Sequence, residues 1–138
     1  MRVIGFSFNK ISVERKPVLD KGIKVNTNID ISEIKELDNK ILKTKEILLG
    51  IKFAYVVNYS PDFAKVELSG EVILAVEQKL AKETLNQWKD KKMPENFKIF
   101  LFNMVLMKSN LKALQLEEEV NIPLHFPLPS LKKPEEEK

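Results

Sequence analysis

The chain has no cysteine, which excludes disulfides, thiolate catalysis and cysteine-based zinc sites. Histidine is nearly absent too. His125 is the only one, it lies between Pro123 and Pro127 in an apolar run, and no nucleophile signature flanks it. One histidine is too few for a histidine metal cluster, and although a Ser-His-acid triad could use it, its setting gives no support to one, so the residue reads as structural or incidental. The four glycines, Gly5, Gly22, Gly50 and Gly70, are isolated, so no phosphate-cradling loop is present. Of 23 basic residues only Arg2 and Arg15 are arginines, the residue type that reads phosphates and guanine edges bidentately. No apolar run approaches the roughly 18–20 residues of a membrane span. Residues 1–10 lack the apolar core of a signal peptide, so a cytoplasmic protein without membrane insertion is expected.

A length of 138 residues suits one domain with a sizeable core, here residues 1–131, followed by a charged tail at 132–138 expected to be disordered. The composition, 43% apolar and 31% charged with a net charge of +3, is that of a globular protein with a heavily ionised surface. Glu117-Glu118-Glu119 has the chemistry to hold a hard cation, but a solvated charge run is the simpler reading. Lys89, Lys91, Lys92 and Lys98 cluster about Trp88. A stacking platform for nucleic acid is weighed there against a tryptophan that packs its helix on the sheet, and the second is preferred. No catalytic template fits. The chain reads as a non-enzyme without cofactor or metal.

The organising stretch is 46–77. Ile47, Leu49, Ile51, Phe53, Tyr55, Val57 and Tyr59 recur at every second residue, and Val66, Leu68, Gly70, Val72, Leu74 and Val76 repeat the pattern. Ser60-Pro61-Asp62 supplies turn chemistry between them, so a long antiparallel hairpin is predicted. Leu48, Ala54 and Val56 on the other parity suggest a sheet covered on both sides for part of its length. Val3, Phe6, Phe8, Ile11 and Val13 predict a first strand over 3–15 with a bulge at Asn9-Lys10, where the parity switches. Ile23 to Ile31 alternates cleanly as a second strand. Residues 33–45, with Ile34, Leu37, Ile41 and Leu42 at helical spacing, fit either a short helix or a polar crossover.

Leu80, Thr84, Leu85 and Trp88 predict an amphipathic helix of about four turns over 77–92. Pro94 and Glu95 then open a second helix, expected to stop at Asn110. From Phe97 to Met107 only Lys98 and Asn103 are polar. A helix that apolar must be covered all round, and one sheet hides only one flank. A second layer, a partner subunit or a ligand is required. Pro123, Pro127 and Pro129 force residues 122–129 to lie extended on something. The fold class is therefore α+β: a four-stranded antiparallel sheet with a long central hairpin, two C-terminal helices and an extended proline-rich C-terminal segment.

This order of elements, with Asn121-Ile122-Pro123-Leu124-His125-Phe126 after the last helix, resembles the SecB family of tetrameric protein-export chaperones. The strands Ile4–Arg15 and Ile23–Ile31 resemble that family's first two, and the likeness spans roughly residues 3–128. It departs in three ways: too few residues follow 130 for the family's final helix, the pI is near 9.0 where bacterial members are acidic, and the helix at 78–92 is more densely charged. The resemblance implies an ATP-independent holdase for unfolded or extended polypeptides, assembled as a homo-oligomer (dimer or tetramer), with no nucleic-acid partner. Candidate peptide-binding or oligomer surface residues are Phe97, Phe100, Leu101, Met104, Met107, Leu124, Phe126 and Leu128. The competing expectation is a non-catalytic partner-binding or scaffold subunit, ribosome- or RNA-associated or antitoxin-associated, with no general client binding.

Overall fold

A computed structural model describes residues 1–17, 22–38 and 45–129. Four strands, β1 (Arg2–Arg15), β2 (Lys24–Leu37), β3 (Ile47–Ser60) and β4 (Ala64–Val76), precede two helices, α1 (Gln78–Trp88) and α2 (Glu95–Glu119). The strands form one antiparallel sheet in the order β1-β4-β3-β2, with the predicted hairpin at its centre. Its turn closes through the Phe63 amide on the Tyr59 carbonyl at 2.9 Å. Asp62 takes the left-handed backbone (φ 46°) that a short polar side chain tolerates.

Period-2 alternation sets the two faces. Leu49, Ile51, Phe53, Tyr55, Val57 and Tyr59 of β3 oppose Leu74, Val72, Gly70, Leu68, Val66 and Ala64 of β4, and all face the helices. Ala81 of α1 and Phe97, Leu101 and Val105 of α2 join the same core, so both helices cover one face. The expected cover on the other face is not provided by a helix. There Lys52 and Lys65 are exposed, and Leu37 folds back over Gly50.

The outer strands carry the irregularities. In β1 the register shifts between Phe8 and Lys10, as expected from the parity switch, and again between Val3 and Gly5. At the first shift β1 passes so close to β4 that a Cβ on Gly70 would lie 2.0 Å from the Ser7 carbonyl oxygen. Only glycine fits, and Phe6, Phe8 and Phe53 pack beside it with centroids 5.1–6.1 Å apart. In β2 a bulge between Ile31 and Glu33 lets both Ile31 and Ile34 point into the core. The three-residue spacing of Ile34 and Leu37 is that of two opposite faces, Ile34 in the core and Leu37 over Gly50. Strand β2 continues to Leu37 where a helix or crossover was expected, while Ile41 and Leu42 lie outside the described residues. So do Leu131 and the charged tail.

Helix α1 is shorter than predicted, ending at Trp88 in a turn with Lys91 at φ 60°. Helix α2 is longer. Asn110 does not stop it, because the side chain has partners that make a helical backbone there worthwhile (below). The stop comes at Asn121, left-handed at φ 56°, with the Ile122 amide returning to the Glu117 carbonyl at 3.0 Å. The Arg15 guanidinium donates to the Val120 and Asn121 carbonyls at 3.1 and 3.0 Å and so caps the negative helix end. Beyond it, residues 122–129 run without helix or strand, as the prolines require, and Ile122 is buried against the sheet.

Candidate functional site

The residues buried on α2 are Phe97, Leu101, Val105, Ser109, Ala113 and Glu117, every fourth position. At about 100° per residue each step of four advances the stripe by roughly 40°, so it winds around the helix as it crosses the sheet. The opposite flank stays uncovered. Ile99, Met107 and Leu111 are 52, 56 and 61% exposed. With Met1, Asn96, Phe100, Asn103 and Met104, the first two of these line an apolar groove of about 490 Å³. The predicted excess of apolar surface on 97–107 is real, and nothing in the chain's described residues encloses it.

The eight predicted surface residues fall in three places. Phe97 and Leu101 are fully buried under the sheet and present nothing to another chain. Phe100, Met104 and Met107 line the outer groove, where flexible methionines adapt to varied shapes. Leu124 is half-buried, and Phe126 and Leu128 are exposed on the extended C-terminal segment, which contributes no lining to the groove.

A polar cluster that sequence reasoning missed lies at the far end of α2. Glu117 is completely buried rather than solvated, and both of its carboxylate oxygens face His125 Nδ1, at 2.7 and 2.9 Å. Its Oε1 also accepts the His125 backbone N–H at 2.9 Å. Nε2 of the same ring lies 3.0 Å from both the Tyr55 hydroxyl and Asn110 Oδ1. Tyr55 donates to Asn110 Oδ1, and Tyr59 donates to the Pro123 carbonyl. Burial, with the Glu117 charge adding to it, pushes both phenols well above the ordinary tyrosine value. Strand β3 thus reaches through two tyrosines, four residues apart on one face, to hold the segment after α2. The alternation announced the tyrosines as core; nothing in it announced their partners.

Near the α1–α2 turn, Trp88 is half-buried against the core, as preferred over a stacking platform, with the Lys91 ammonium 4.5 Å from its ring centre. Among the described residues no three His, Asp or Glu side chains gather as metal ligands, and no helix is long and apolar enough to cross a membrane.

Against solved structures, the chain is similar to the SecB-like chaperone Rv1957 of Mycobacterium tuberculosis, in a complex with a ChAD peptide from the Rv1956 HigA1 antitoxin. The TM-score is 0.54 at 8% identity, covering 96% of this chain and 91% of that one. The fold is SecB-like. At that identity the likeness speaks for the fold alone. No protein-family model matches the sequence, and no curated protein matches it. The two chains share the fold at 8% identity, which fits a fold specified by alternation and helix burial rather than by motif.

Proposed function

We propose that this chain is an ATP-independent holdase that binds unfolded or extended polypeptides. One observation carries the reading: a SecB-like fold whose longest helix leaves an apolar groove uncovered at Ile99, Phe100, Met104 and Met107. Exposed apolar surface of this kind suits protein partners. Fully burying one such side chain contributes about 1.5–3 kcal/mol, ample reason for the flank to be occupied by a client, a second copy of the chain, or each in turn. A dimer or tetramer in the cytoplasm, acting without catalysis or cofactor, is part of the proposal. Phe126 and Leu128 extend the apolar surface on another part of the molecule.

The test is suppression of aggregation of unrelated unfolded proteins, without ATP, at stoichiometric ratios. Suppression that weakens when Met107 and Ile99 are replaced by glutamate is the expected result. No suppression at any ratio would refute the holdase and favour the second reading, a dedicated partner-binding subunit. That reading draws on the neighbour, whose structure holds a peptide from an antitoxin.

A further inference from the structure

Methionine is sorted in this chain. None of the four methionines belongs to the buried core, which is built from isoleucine, leucine, valine, phenylalanine, tyrosine and alanine. Met1, Met104 and Met107 line the apolar groove on the outer flank of α2. Met93 lines two further grooves that meet at Lys98 and Phe102, and one of these adjoins the first through Ile99 and Asn103. Every methionine therefore lies along the grooves beside the N-terminal half of α2. Met107 and Met1 are 56 and 42% exposed, and Met93 and Met104 are half-buried.

Leucine would fill such positions with nearly the same volume and the same apolar character. What methionine adds is a sulfur with a reactive lone pair. The chain has no cysteine, so these four thioethers are its only sulfur, and oxidation at sulfur has no other target. With a hydroperoxide as the oxidant, the sulfur lone pair attacks the terminal peroxide oxygen and the O–O bond breaks. That oxygen stays on sulfur as a sulfoxide, and its proton joins the departing hydroxide; with hydrogen peroxide the by-product is water. Sulfur loses two electrons and the peroxide gains them. A flexible apolar side chain has become a polar one.

We propose that Met104 and Met107 are a reversible oxidation switch on the outer groove of α2, converted to sulfoxides by peroxide-class oxidants and thereby closed to apolar polypeptide. The loss of clients rests on the holdase reading; the oxidation and its effect on the groove do not. Three residues apart on one helix, the two side chains are neighbours, with Cβ atoms about 5–6 Å apart. Both new oxygens enter a single groove of about 490 Å³. The buried stripe of Phe97, Leu101 and Val105 carries no sulfur, so the packing that holds α2 on the sheet is left intact. Methionine sulfoxide reductases, one for each sulfoxide epimer, return the thioether, which makes the switch reversible.

The full chain treated with hydrogen peroxide tests this, with oxygen uptake at each methionine mapped by peptide mass spectrometry. Met107 is expected to oxidise before Met104 and Met93, following exposure, with the far-ultraviolet circular dichroism unchanged. A fluorescent extended apolar peptide should bind about tenfold more weakly once Met104 and Met107 are oxidised, the equivalent of losing roughly one buried apolar side chain. Fluorescence of an apolar dye should fall in parallel, and both sulfoxide reductases together should restore both signals. In Met104→Leu/Met107→Leu the ratio of affinities before and after peroxide should drop from about ten to about one, whereas Met93→Leu should keep the parent's ratio. Undiminished peptide and dye binding with both sulfurs oxidised overturns the switch. So does an equal loss in the double leucine variant, a Met107 inert to peroxide, or unfolding of the oxidised chain. A parent chain that binds no peptide and suppresses no aggregation refutes the holdase, and the switch is then upheld or overturned by the dye alone.

Discussion

Replacing Glu117 by alanine removes one member of a buried hydrogen-bonded pair and leaves its partner without compensation. The His125 ring loses both acceptors of Nδ1, and the His125 backbone N–H loses its only carboxylate. Glu117 is fully buried and the ring almost so. Breaking such a pair costs about 3–5 kcal/mol, a large part of the roughly 5–15 kcal/mol that holds a domain folded. For 138 residues, at about 2.1 cal/mol/K per residue, this lowers Tm by roughly 10–17 °C. His125→Ala should cost a comparable amount. The double variant should cost less than the sum by about 1–3 kcal/mol, because the second deletion removes the group that the first left stranded. Urea unfolding of the four proteins, followed by circular dichroism, measures the cycle. A Glu117→Ala loss under about 1 kcal/mol, or additivity within about 0.5 kcal/mol, would show that the pair is not the buried unit its geometry describes.

Leu101→Ala should cost about 2–5 kcal/mol whereas Met107→Ala, at a side chain 56% exposed, should stay within about 0.5 kcal/mol in dilute monomer; equal losses would contradict the assignment of buried and open flanks. Gly70→Ala places a methyl 2.0 Å from the Ser7 carbonyl oxygen and 2.9 Å from Phe8 Cα, both main chain, so β1 must shift at a cost of at least about 1–3 kcal/mol; an unaltered denaturation midpoint would argue against the close crossing. Tyr55 and Tyr59 are the chain's two tyrosines, and their folded phenols hold protons to higher pH than unfolded ones. The unfolded state therefore releases protons first, stability falls as pH rises past about 10, and tyrosinate absorbance should appear only together with alkaline unfolding. Tyrosinate forming in a chain that is still folded would contradict the burial.

The central hairpin was legible because seven alternating apolar residues leave one way to lie on a core, and the parity switch at Asn9 marked the bulge in β1. The same logic failed in β2. Ile34 and Leu37, three residues apart, suit a helix, but they lie on opposite faces of a strand that continues past the bulge at Ser32 to Leu37. The excess of apolar surface on α2 was readable from composition, but its buried stripe was not, since with nearly every position apolar no side is marked. Phe97 and Leu101 were thus expected at the surface beside Met104 and Met107. Asn110 and Glu117 were misread for a common reason: a polar residue near a helix end suggests a cap or solvent, and only the approach of β3 and the returning chain gives it a buried partner.

The span of α2 between Asn110 and Glu117 acts as a spacer. Seven residues of helix set the two side chains roughly 10.5 Å apart along the axis and close to the same side. Inserting one residue anywhere within that span would turn one of them about 100° from the tyrosines while leaving the composition of the helix nearly untouched. The spacing between these two positions is therefore as strictly constrained as their identity.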